Sequence, residues 1–159
     1  MHLLLLRHAD AISSARTDDL RPLSDKGRQQ ARRVAHFCKE RKLVPDLILT
    51  SPFLRTEETA QIVAKELECE MVLSAFLASG MMPTAALEEL RAYMRFNCVL
   101  LVGHEPDLSS LASTLLGSTN GSAIRMRKAT LAGIIIETLA PGSALLEFLV
   151  PVKLMPGKD

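Results

Sequence analysis

Two four-residue apolar runs, each followed closely by a histidine, constrain this chain more than any other feature. Leu3 to Leu6 runs into Arg7-His8, and Val99 to Val102 runs into Gly103-His104-Glu105-Pro106. Short apolar runs without polar alternation read as strands buried on both faces, the habit of a parallel sheet covered by helices. A cationic side chain directly after such a run leaves the packed sheet at its carboxyl end. In open α/β sheets, ligands gather beyond those ends. Two strands that end this way predict one site built across neighbours.

The segments between the two runs alternate as such a sheet requires. Ser24 is placed to cap a helix reaching about Lys42, with Ala31, Val34, Ala35 and Cys38 on its apolar face. Asp46 to Thr50 predicts a second strand, Phe53 to Leu67 a helix, and Met71 to Phe76 a weaker third strand. Pro83 to Phe96 and Pro106 to Leu116 predict two more helices, the latter stopped by Gly117. Ala132 to Leu139 and Ser143 to Val150 flank Ala140-Pro141-Gly142 and predict a hairpin at the sheet edge. The expected fold is α/β: a single domain over residues 1–159 with a mostly parallel central sheet, helices on both faces and a C-terminal edge hairpin.

Composition narrows the function classes. A net charge of +1 weighs against a broad nucleic-acid surface, while leaving room for a local anion site. No apolar stretch reaches transmembrane length, and Met1-His2 enters the first run without a signal-peptide pattern. Cys38, Cys69 and Cys98 fit neither a zinc site nor a disulfide framework, so reduced thiols in a cytoplasmic protein are expected. No metal-ligand spacing or glycine-rich nucleotide loop is present, so neither a metal nor another cofactor is expected. Nothing in the pattern fixes an oligomeric state.

Arg7-His8, Thr50-Ser51 and Gly103-His104 all follow predicted strand ends, and Arg55 falls in the first turn of the next helix. Two arginines and two histidines can thus converge on a small anion. Arginine's planar fork matches phosphate oxygens, and Gly103 would let the backbone approach the ligand. A carboxylate would also suit this set. The histidines favour phosphoryl transfer: one attacks through an unprotonated ring nitrogen while its other N–H is held, and the second donates to an equatorial oxygen. Taken singly, His8 and His104 could be surface histidines, Arg7 a solvated strand end, and Arg55 the partner of Glu57 or Glu58. His36 in a basic helix reads as solvated, and His2 as structural.

Leu6-Arg7-His8-Ala9, Ser51-Pro52-Phe53-Leu54-Arg55-Thr56 and Gly103-His104-Glu105-Pro106 resemble, in order, the three signatures of the histidine phosphatase superfamily, the phosphoglycerate-mutase-like fold. The short length and the run from Asp18 to Gly27 resemble its SixA branch of small phosphohistidine phosphatases. The resemblance implies that His8 is the nucleophile that becomes phosphorylated. It also implies that Arg7, Arg55 and His104 complete the phosphate pocket, and that a phosphohistidine-bearing protein is the substrate. Ala9 departs from the usual glycine, tolerable where the backbone is not left-handed.

The phosphomonoesterases of the superfamily carry a carboxylic acid after the third strand, whereas residues 73–80 here contain none. Cleaving a P–O bond to an alkoxide needs a proton on a poor leaving group. Cleaving a P–N bond to imidazole needs much less, because the ring departs neutral. Asp18 and Glu105 are the candidates for a substitute acid or support. Arg21 is a candidate for binding the phosphate or a partner carboxylate, or for pairing with Asp25. The runner-up reading is a phosphomonoesterase for a small phosphorylated compound. A non-catalytic phosphoprotein-binding module would keep Arg7, Arg55 and His104 but would not need His8.

Overall fold

The computed structural model describes residues 1–118 and 123–157. Its sheet contains β1 (His2–Arg7), β2 (Leu47–Thr50), β3 (Met71–Leu73), β4 (Cys98–Gly103), β5 (Leu131–Ile136) and β6 (Ala144–Val150). They are ordered β3-β2-β4-β1-β5-β6. The first four are parallel, while β5 runs antiparallel to β1 and β6 antiparallel to β5. The apolar run Leu3 to Leu6 is fully buried because β1 lies inside the sheet, with β4 on one side and β5 on the other.

Strand side chains alternate between two cores. Leu4, Leu6, Ile48, Leu100 and Val102 pack with α1 (Asp25–Glu40) and α2 (Leu54–Leu67). Leu3, Leu5, Leu49, Val99 and Leu101 pack on the opposite side with α3 (Pro83–Leu90) and α4 (Asp107–Leu115). The expected α1 face is the one buried, and Ser24 Oγ accepts the Gly27 amide at 3.0 Å as the N-cap. Burying each leucine of β1 contributes roughly 1.5–3 kcal/mol.

Three expected elements are clearly shorter than the sequence implies, among them β5, which ends at Ile136 and not at Leu139. Strand β3 ends at Leu73, and Ala75–Leu77 form a 3₁₀ turn. The edge position explains this: β3 pairs only with β2, over three residues. Helix α3 ends at Leu90, and Arg91–Tyr93 tighten into a second 3₁₀ turn. The hairpin forms as expected, with Gly142 at φ 74° in its turn and an irregularity between Gly133 and Ile134. Among the described residues, no helix is long and apolar enough to cross a membrane.

Gly27 in α1 positions the loop that follows β1. A Cβ there would lie 1.9 Å from the Asp10 carbonyl oxygen, so the helix and the Asp10 backbone are in direct contact. Replacing glycine by alanine in an open helix interior stabilises by about 1 kcal/mol. Here Gly27→Ala is expected to destabilise by about 1–3 kcal/mol through overpacking, read as a lower denaturation midpoint in urea. An unchanged or raised midpoint would contradict this packing.

Candidate active site

Strand pairing brings the two histidines together. Arg7 of β1 lies opposite Gly103 of β4, and the His8 amide donates to the Gly103 carbonyl at 3.0 Å. The chain leaving β1 turns to the α1 side, and the chain leaving β4 turns to the α4 side. The crevice between two such strands is where ligands settle in open sheets. His8 and His104 face each other there, with ring centroids 5.5 Å apart.

Arg55, in the first turn of α2, reaches both rings. Its Nε donates to His8 Nε2 at 3.3 Å, and its second terminal nitrogen lies 3.3 Å from His104 Nδ1. The guanidinium also lies over the Phe53 ring, 5.0 Å from its centroid, and the same ring meets His104 edge-on. The sequence alternatives Glu57 and Glu58 do not hold Arg55. Glu58 instead accepts the Leu23 amide at 2.7 Å.

The tautomers follow from the partners. His8 Nδ1 lies 2.8 Å from the Ala9 carbonyl, which can only accept, so Nδ1 carries the hydrogen. Nε2 is then unprotonated, and its lone pair accepts from Arg55 Nε. For His104, Nδ1 faces Arg55 and Nε2 lies 2.8 Å from Ser51 Oγ. Burial, with Arg55 as a further cause, lowers the pKa of His8 to about 3 and that of His104 to about 4. Both rings are therefore neutral at neutral pH. A phosphoryl dianion against Nδ1 of His104 would favour a proton there, and the Ser51 hydroxyl can donate to or accept from Nε2 as that proton shifts.

Arg7 is held by its NH1 group, which donates to the Met126 carbonyl at 3.0 Å. Its Nε is buried without a hydrogen-bond partner among the described residues, which leaves a donor for an anion. Ala9 is fully buried with Leu6, Leu23 and Ala31 and is not in the left-handed region, so its methyl group fills core. Gly103 also makes room for packing: a Cβ there would meet the Leu108 side chain at 3.2 Å.

Asp18 folds over the site from the loop after β1. One carboxylate oxygen accepts from Arg55 at 3.0 Å, and the other accepts from Arg21 at 2.9 Å. Arg21 pairs with Asp18, not with Asp25, and its Nε donates to the Ile12 carbonyl. The hydrogen bond from Arg21, aided by Arg55, holds the Asp18 carboxyl below its usual range, so it has no proton to give at neutral pH. Glu105 differs. Burial raises its pKa, Ser109 Oγ donates to its carboxylate at 2.7 Å, and Arg7 is close enough to act on it.

Sequence reasoning did not single out Thr59 or Asp10. Thr59 Oγ1 accepts the Ala9 amide at 3.1 Å and donates to the Arg55 carbonyl at 2.6 Å, joining the two site segments. Its place one helical turn after Arg55 was the available signal. Asp10 is fixed by Lys128 and Ser24, both at 2.6 Å. His36 and His2 lie outside the site and are exposed. Among the described residues, no group of three or more His, Cys, Asp or Glu could hold a metal ion.

The profile of the histidine phosphatase superfamily (branch 1) matches residues 3–78. Phosphohistidine phosphatase SixA of Escherichia coli strain K12 is 30% identical over 121 residues, covering 72% of this chain and 74% of the relative. The chain belongs to the histidine phosphatase superfamily. It is a SixA-type member and a phosphatase. Its fold is that of a protein histidine phosphatase SixA solved with tungstate, at a TM-score of 0.87 and 23% identity over 96% of this chain and 98% of that one. The alpha-ribazole phosphatase of Shigella flexneri shares the phosphoglycerate-mutase-like fold at a TM-score of 0.78 and 17% identity, each chain covered in full.

Keeping both histidines neutral has a cost at low pH. Their folded-state pKa values lie below the ordinary 6.5, so the unfolded chain binds more protons between those limits. Stability therefore falls as pH drops from about 6.5 towards 4, with a slope approaching about 1.4 kcal/mol per pH unit for each ring. Urea titrations across this range should show that decline, and His8→Asn with His104→Gln should flatten it. Equal slopes in the two proteins would contradict the assignment.

Proposed function

We propose that this phosphatase hydrolyses phosphorylated histidine on a protein through a phospho-His8 intermediate. The observation that carries the reading is the environment of His8: a neutral ring with Nδ1–H held by the Ala9 carbonyl and Nε2 unprotonated, accepting from Arg55. In this mechanism Arg7, Arg55 and His104 hold the phosphoryl group, which takes the place of the Asp18 carboxylate on Arg55. Arg21 supports the site by retaining Asp18.

His8 Nε2 attacks phosphorus, the P–N bond to the substrate imidazole breaks, and its electron pair stays on the departing nitrogen. A substrate ring protonated on its other nitrogen leaves neutral, so no enzyme acid is required. Phosphorylation at Nε2 leaves Nδ1–H of His8 on the Ala9 carbonyl, so the phosphorylated ring is cationic and is itself a good leaving group. Water then attacks phosphorus, the electron pair returns to Nε2, and neutral His8 is restored. The second proton of that water leaves with phosphate or solvent. One carbonyl thus serves both halves of the reaction.

The carboxylates agree with this substrate. Asp18 is held ionised, and residues 73–80 offer no acid. Glu105 alone favours the second reading, a phosphomonoesterase for a small compound, because burial raises its pKa beside Arg7. The cysteines fit a reducing cytoplasm: Cys38, Cys69 and Cys98 are free, and burial pushes the Cys38 thiol up to about 12.

The test compares phosphate release from a phosphohistidine-bearing protein and from an alkyl phosphate. The expected preference for phosphohistidine is about 10²–10⁴-fold, the usual worth of general-acid catalysis to the ester. His8→Ala should abolish release and leave no phosphoenzyme to trap. Comparable turnover of the alkyl phosphate, lost in Glu105→Gln, would establish the phosphomonoesterase reading instead.

A further inference from the structure

We infer that the cationic cleft beside Arg7 docks the acidic surface surrounding the phosphohistidine of the partner protein, a proposal that rests on the function given above. The cleft has a volume of about 1010 Å³ and meets the site at Arg7 and Glu105, while its lining does not include His8, Arg55 or His104. It is thus a neighbouring surface and not the phosphate pocket itself.

Seven of its lining side chains are Lys or Arg against two carboxylates, in a chain whose net charge is only +1. The lining therefore carries a net positive charge in a nearly neutral chain. The walls come from separate parts of the chain: Lys26 and Arg33 from α1, Arg125 to Lys128 from the segment before β5, and Lys153 from the C-terminal turn. Arg7 NH1 on the Met126 carbonyl ties the second wall to the end of β1, directly before His8. Charges on this wall therefore keep a fixed distance from the nucleophile.

The spacing favours a protein surface over one small anion. Lys26 and Arg33 are seven residues apart on a helix, about 10 Å along its axis. A single phosphate cannot span that distance, whereas carboxylates scattered over a protein face can. Lys26, Arg127 and Lys153 are exposed, and their side chains enter no hydrogen bond or salt bridge with other described residues. Arg127 and Lys153 are thus held by no carboxylate of the fold, and Lys26 acts on Asp10 only at a distance. Exposed cations of this kind raise the association rate of an anionic partner by about 10–10³-fold, an effect that salt screens.

The experiment uses the full chain and a variant carrying Lys26→Gln, Arg127→Gln and Lys153→Gln. The two substrates are a histidine-phosphorylated phosphotransfer domain with acidic flanks and free phosphohistidine. The variant should lose about 10–100-fold in kcat/KM on the protein substrate, with a flatter dependence on ionic strength. It should keep the wild-type rate on free phosphohistidine. Equal loss on both substrates, or no loss on either, overturns the docking role while leaving phosphohistidine chemistry standing. So does a wild-type enzyme that hydrolyses free phosphohistidine but not the protein. Wild-type enzyme inactive on both would instead overturn the parent reading and this one with it.

Discussion

The parallel pairing of β1 with β4 underlies everything at the site. Its register sets Arg7 opposite Gly103, and from that single alignment His8 and His104 leave the sheet side by side. A one-residue slip would reverse the facing of the side chains on one strand and separate the pair. The register is in turn fixed by burial on both faces: Leu3 to Leu6 and Val99 to Val102 are all inside, and each alternates between the two helical layers. The core and the site are therefore consequences of the same pairing.

The electrostatics of the crevice follow from placing two arginines beside two buried imidazoles. Burial makes it hard for either ring to hold an extra proton, and Arg55 and Arg7 make it harder. In the proposed mechanism the site thus gains a neutral nucleophile without a dedicated base. The guanidinium of Arg55 is balanced by Asp18, which in the proposed reaction an incoming phosphoryl group replaces with like charge. In this account the loop after β1 supplies a temporary anion, and the strand ends supply the lasting cations.

Much of this was legible in the sequence, for physical reasons. Uninterrupted apolar runs mark buried strands, and polar groups directly after them have to emerge at the sheet end. His8, His104, Arg7 and Arg55 therefore stood out, and the structure brings them together. The Ser24 cap and the apolar face of α1 were readable because they depend on local spacing. Long-range contacts were not. The partner of Arg21 is set by how the loop folds, and the role of Gly103 by the approach of Leu108. Thr59 lies one helical turn from Arg55, but its bond to Ala9 crosses a separation of fifty residues. The ends of β3 and α3 fall short of the apolar pattern because edge pairing and tight turns override it there.

The central claim is that resting His8 is a neutral ring protonated at Nδ1, with Nε2 available for attack. Long-range ¹H–¹⁵N correlation of histidine-labelled protein at pH 7 reads this directly, with His8→Ala assigning the signals. The account predicts a neutral Nδ1–H tautomer for His8 that persists on acidification to pH 5. A cationic His8 at pH 7, or a neutral ring protonated at Nε2, would contradict it.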